Sequence, residues 1–137
     1  PYNTESKDIT FTYRTHMWDS ALRIIVESPF WGYGFPDKDW YLTHMSSFAI
    51  GPHNILLAML IYGGVVTFVI YLYLLIRSLL VVSHIHDYWA DIILGGTVIL
   101  CLMQLMEVYP IPIIFTFFIL AEYYPQLHSQ LTHPDEQ

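Results

Sequence analysis

From Asn54 to Ile76 the chain runs 23 residues without a formal charge. At about 1.5 Å per residue this run makes a helix of roughly 35 Å, enough to cross a hydrocarbon core of about 30 Å. Arg77 closes it, and Gly63-Gly64 near its middle predicts either a close helix–helix approach or a local break. A second uncharged run, Ile92–Met106, is 15 residues long and reaches membrane length by counting Tyr88, Trp89 and Tyr109 as interfacial flanks. Pro110 and Pro112 interrupt the chain there. The apolar stretch Ile113–Ala121 is read as a third helix anchored by Tyr123 and Tyr124, in preference to a re-entrant segment buried in protein. The expected spans are therefore 54–77, 90–109 and 112–124, within a helical region 53–124, with a polar, frayed C-terminal tail over 125–137.

Upstream the pattern differs. Residues 1–13 read as an extended entry. Over about 15–28, Trp18, Leu22 and Ile25 recur at helical spacing, widened by Ala21 and Ile24, and predict a short amphipathic helix. Asp19, Arg23 and Glu27 form a charge ladder on another side of it, and Pro29 stops it. Residues 29–52 alternate turn formers with aromatics (Pro29, Gly32, Gly34 and Pro36 among Phe30, Trp31, Tyr33 and Phe35). Disordered segments are poor in aromatics, so a loop this long is expected to be ordered and functional, with some rings at headgroup level. The polar region 1–52 is thus one unit of organisation, and the apolar helices another.

Composition sharpens this division. Of 137 residues, 55% are hydrophobic and only 12% charged, about half the charged fraction of an ordinary soluble domain. The fold class is therefore all-α integral membrane, with two or three transmembrane helices preceded by a loop carrying a short amphipathic helix. The net charge of −7 argues against nucleic acid and against adhesion to anionic lipid through a basic patch. Cys101 stands alone and cannot form an intrachain disulfide. The chain starts at Pro1 without an initiator Met or signal peptide, and reads as a fragment whose parent supplies further N-terminal helices. A positive-inside count puts the loop in the cytoplasm, since four of the five Lys and Arg precede residue 53. Six acids accompany them, and Arg77 votes the other way.

Three features in order resemble the O-antigen ligase and repeat-unit polymerase family of bacterial glycan assembly. The first is Arg14 followed four residues later by Trp18, then Ala21-Leu22. The second is Ser28-Pro29-Phe30-Trp31-Gly32-Tyr33-Gly34. The third is Pro52-His53-Asn54 directly before an apolar helix with a mid-helix glycine. Glu107 is similar to an acid found late in such proteins. The resemblance covers about residues 12–70. It implies a multi-pass protein of the bacterial cytoplasmic membrane, the present chain being its C-terminal part, with residues 1–52 extracytoplasmic. Its substrate would be an undecaprenyl-diphosphate-linked glycan, transferred to an acceptor hydroxyl without metal or other cofactor.

That chemistry needs a cation for the departing diphosphate and a base for the acceptor hydroxyl. Arg14 suits the first, because guanidinium grips phosphate oxygens bidentately and stays charged. His53 suits the second, because its unperturbed pKa lies nearest neutrality, although it could equally serve as a donor to the diphosphate. Asn54, His16 and Glu107 are possible supporting residues. Each has a plainer reading: Arg14 as an interfacial arginine paired with an acid, His53 and Asn54 as helix-entry residues, His16 as a solvated helix residue. Polymerisation of repeat units is the first expectation. Ligation of finished glycan to lipid A core or another acceptor is the second, and a non-catalytic assembly or transport subunit the third.

Overall fold

The computed structural model describes residues 9–45, 51–106 and 111–132. Among these the chain is helical throughout, in five helices and no strand: α1 (Ile9–Glu27), α2 (Lys38–His44), α3 (Ile55–Ser83), α4 (Tyr88–Gln104) and α5 (Ile111–Thr132). Two compact units form. One holds α1, α2, α3 up to Val69 and the dipeptide Leu105-Met106; the other holds α3 from Ile70, with α4 and α5.

In the first unit, Ala21, Ile24 and Ile25 of α1 pack with Tyr41 of α2, Met45 and Ile61 of α3, with Met17 and Trp40 alongside. The buried stripe is thus centred on Ala21 and Ile24. Leu22, expected on that stripe, is 53% exposed. Asp19 and Arg23 do pair, on the exposed side, where such pairs contribute a few tenths of a kcal/mol. Two boundaries differ from expectation. α1 starts at Ile9 rather than near residue 15, because intrinsic propensity is a weak prior and the β-branched run Ile9-Thr10 does not prevent helix. Within the 29–52 loop, α2 forms where only turns were expected: Asp37 caps it by accepting the Trp40 N–H at 2.8 Å.

Gly63 and Gly64 break α3, with Gly64 at φ 63°, ψ −156°. A broken helix frees backbone groups, and these need partners if the segment is shielded from water. The turn after α1 supplies them. Tyr33 N–H donates to the Ile61 carbonyl (2.7 Å), Gly34 N–H to the Tyr62 carbonyl (2.8 Å), and Val65 N–H to the Pro29 carbonyl (2.8 Å). Backbones this close exclude side chains. A Cβ on Gly32, itself at φ +63°, would stand 2.5 Å from the Ile61 oxygen, and one on Gly64 would overlap the Phe30 carbonyl. Of the two alternatives expected of the glycine pair, the local break occurs; what closes on it is the Ser-Pro-x-x-Gly-x-Gly turn rather than a neighbouring helix.

In the second unit α4 and α5 pack side by side, with Val82, Ala90 and Ala121 at the core. Asp87 caps α4, its Oδ1 accepting the N–H groups of Trp89 (2.8 Å) and Ala90 (2.9 Å). The Tyr124 hydroxyl donates to the same carboxylate at 2.7 Å, and His128 Nε2 stands 3.0 Å from it. These contacts correct the expectation of a frayed tail from Pro125. α5 continues through Pro125 to Thr132, although an interior proline costs about 3 kcal/mol. Tyr124 and His128, one turn apart and both held by Asp87, keep the last turns wound. Arg77 makes a bidentate pair with Glu122, at 2.6 and 2.9 Å.

Among the described residues α3 is long and apolar enough to cross a membrane, and α4 is a shorter apolar helix of 17 residues. After its break α3 leaves large apolar residues uncovered: Val65, Val69, Tyr73, Ile76 and Leu80.

Candidate functional site

The candidate site lies in the first unit, where α3 begins. Asn54 is the N-cap: its Oδ1 accepts the N–H groups of Leu56 (3.0 Å) and Leu57 (3.2 Å), which the helix itself cannot satisfy. Its amide nitrogen is then free to donate elsewhere, and it reaches the Leu105 carbonyl at 3.0 Å. One side chain therefore starts α3 and ties down the dipeptide that follows α4.

Immediately before the cap, His53 has φ 45°, the single positive φ outside glycine among the described residues. For an L-residue that conformation costs on the order of 1–2 kcal/mol, and such strain persists where surrounding contacts over-determine it. The contacts are present on both sides. Pro52 is fully buried, and its carbonyl accepts the indole N–H of Trp18 at 3.1 Å. Asn54 is fixed as just described. His53 itself is half-buried between them.

Arg14 sits one turn before Trp18 on the same face of α1, the spacing at which helix side chains are neighbours. It is half-buried, and its Nη1 lies 3.8 Å from the Met106 sulfur. A thioether is a weak acceptor and carries no charge. Among the described residues this guanidinium thus meets a soft, neutral neighbour rather than a carboxylate. Arg14 and Asn54 converge on the adjoining residues Met106 and Leu105, and Trp18 links Arg14's helix to the residue before His53.

His16 is not part of this convergence. It is exposed, and two positions along a helix put it well round the cylinder from Arg14 and Trp18. Glu107 lies outside the described residues. Two participants were not legible beforehand. From sequence Trp18 offers an apolar ring and a place in a motif, whereas in the structure its N–H contacts the Pro52 carbonyl; the four-residue Arg–Trp spacing is the available signal. Leu105-Met106 carried no signal, because a backbone carbonyl and a thioether have no motif.

The second unit holds a separate polar cluster around Asp87. The N–H of Ala90 foremost, then the Tyr124 hydroxyl, the Trp89 N–H and His128, hold this carboxyl below its usual range against an opposing effect of burial. Both oxygens of that carboxylate are engaged in capping and tethering, so the cluster reads as a structural lock.

No curated protein and no solved structure matches the chain. Residues 2–72 match the O-antigen ligase family, a segment that includes Arg14, Trp18, the turn at Gly32, His53, Asn54 and the broken helix past Gly64. That segment is just over half of the 137 residues, and the chain belongs to the O-antigen ligase family.

Proposed function

We propose that this chain is part of a membrane glycosyltransferase that polymerises undecaprenyl-diphosphate-linked oligosaccharide repeat units for a bacterial surface polysaccharide. The observation that carries the reading is the convergence of Arg14 and Asn54, both inside the segment that matches the family, on Met106 and Leu105 beyond it, beside a strained His53. In the proposed step the acceptor hydroxyl oxygen attacks the anomeric carbon. The bond from that carbon to the diphosphate breaks, and the lipid diphosphate leaves with the electron pair. His53 takes the hydroxyl proton. Arg14 meets the charge gathering on the diphosphate, where a fixed cation in a shielded site is worth more than in water.

The protein is read as a multi-pass protein of the bacterial cytoplasmic membrane. Support comes from the apolar residues that α3 leaves uncovered after its break, which would be costly in water and are at ease in lipid. α4 and α5 are proposed to accompany α3 in the bilayer, together with helices of the parent chain. On this reading residues 1–52 face outward, Asn54 and Glu107 are supporting residues, and His16 is solvated.

Ligation of finished glycan to a lipid acceptor is the second reading, favoured by the description of the matched family, O-antigen ligase. One experiment tests the proposal and separates the two. In cells carrying Arg14→Ala or His53→Ala in the full protein, a polymerase leaves single repeat units on the carrier. A ligase leaves long, unligated, lipid-linked chains. Glycan of wild-type length and attachment in both mutants, with the protein present in the membrane, would remove the glycosyltransferase reading.

A further inference from the structure

We propose that Trp18 is a positioning residue for His53: its indole N–H, bonded to the Pro52 carbonyl, holds the left-handed backbone that aims the imidazole. The proposal rests on the glycosyltransferase reading and adds to it a residue without chemistry of its own.

The geometry argues it in three steps. His53 occupies φ 45°, which a non-glycine residue leaves for the extended or right-handed region unless restrained. The carbonyl of the peptide before it, Pro52–His53, accepts the Trp18 Nε1–H at 3.1 Å, across 34 positions of sequence. The Pro52 side chain is fully buried and the bond to its carbonyl is part-buried, so a carbonyl left without this donor would incur part of the cost of an unmet acceptor. Rotation of the Pro52–His53 peptide is the move that would relax His53, and it would break this bond. On the other side Asn54 is fixed by Leu56, Leu57 and Leu105. The strained residue is thus held at both ends, and on the N-terminal side the indole N–H of Trp18 is one of the groups that hold it.

The same indole also indexes α1. Arg14 lies one turn before Trp18, about 6 Å along the axis, so the ring that restrains His53 belongs to the helix that carries the guanidinium. A four-residue Arg–Trp spacing joined to a Pro-His-Asn entry is what such a clamp requires: the cation and the strained histidine are registered through one contact.

The test uses the full-length protein in its membrane, with a lipid-linked repeat unit as donor. Trp18→Phe keeps an aromatic ring and removes the donor. The expected result is a fall in kcat of about tenfold, with KM for the donor within about threefold and the amount of membrane protein unchanged. A residue serving packing alone would lower protein amount, or leave kcat and KM as they were. If Trp18→Phe fails to accumulate, a benzothiophene side chain in place of the indole keeps the shape and loses only the N–H, and the same fall in kcat is expected. Wild-type kcat in the Phe or benzothiophene variant, while His53→Ala is inactive, overturns the positioning role and leaves the reading of His53 intact. Activity in both His53→Ala and Arg14→Ala instead overturns the reading beneath it.

Discussion

At the residue scale a few atoms around His53 and Asn54 shape the candidate site. His53 at φ 45° makes a backbone prediction independent of chemistry. Glycine accepts positive φ without the Cβ penalty, so His53→Gly should be at least as stable as His53→Ala in thermal unfolding, although both lack the imidazole. A clearly less stable glycine variant would contradict the strained conformation. The role of the ring is separable too. His53→Gln keeps a donor and loses the base; proton transfer by His53 predicts that it is as inactive as His53→Ala, whereas a donor to diphosphate predicts substantial retained activity. Asn54 does two jobs with two atoms. Asn54→Asp keeps the capping oxygen and loses the donor to Leu105, while Asn54→Ala loses both. The alanine variant should lose about 1–2 kcal/mol of stability, with aspartate between it and wild type; equal stabilities for all three would remove Asn54 from the scaffold. Arg14, His53 and Asn54 can be singled out as candidates from sequence because a guanidinium, an imidazole and a capping amide belong to residue types. Trp18's N–H cannot, since an indole on an amphipathic stripe looks the same whether its ring or its nitrogen matters.

At the element scale the broken α3 and the turn docked against it form one device. The uncharged run 54–76 announced a helix, and the glycine pair announced a discontinuity, but the partner that fills it lies thirty residues upstream and joins by backbone atoms, which leave no mark in a side-chain pattern. Gly64→Ala should be severely destabilising, because it combines φ +63° with overlap on the Phe30 carbonyl. Gly95 is the control: a Cβ there meets nothing within 4 Å, and Gly95→Ala should be neutral or add up to about 1 kcal/mol. Equal tolerance of the two, read from detergent-resistant folded protein, would contradict the docked break. α2 escaped notice because seven residues among prolines and aromatics show too little period, and its signature was a capping aspartate alone. The winding of α5 past Pro125 was hidden for a related reason: proline is a local signal, and the Asp87 tether that overrides it spans 37 positions. That tether gives a pH prediction. The Asp87 carboxyl titrates lower folded than unfolded, so its stabilisation is full above the ordinary aspartate pKa of about 4 and is lost as pH falls below it. Asp87→Asn should show lower stability near neutrality and a flatter acid limb; an unchanged acid limb would show that Asp87 takes no part.

At the scale of the whole molecule, apolar residues and topology dominate. Composition points to a membrane because so little charge over so much surface is rare in a water-soluble chain, and among the described residues α3 is long and apolar enough to cross one. It does not give orientation, since five basic residues, one of them proposed for chemistry, make a poor vote. If α3 crosses the membrane once with residues 1–52 outside, then in a Cys101→Ala background Lys38→Cys should react with an impermeant maleimide added to intact cells. His86→Cys should react only after permeabilisation, and the reverse pattern would invert the topology. Above orientation stands the claim that this outer region carries out glycosyl transfer with Arg14 and His53. Its most direct measurement is transfer itself: the full-length protein in proteoliposomes, given a lipid-linked repeat unit, with product length read on a gel. Wild type is expected to give elongated lipid-linked product, and Arg14→Ala and His53→Ala none, at equal protein loading. Elongation by both variants at the wild-type rate would contradict that claim.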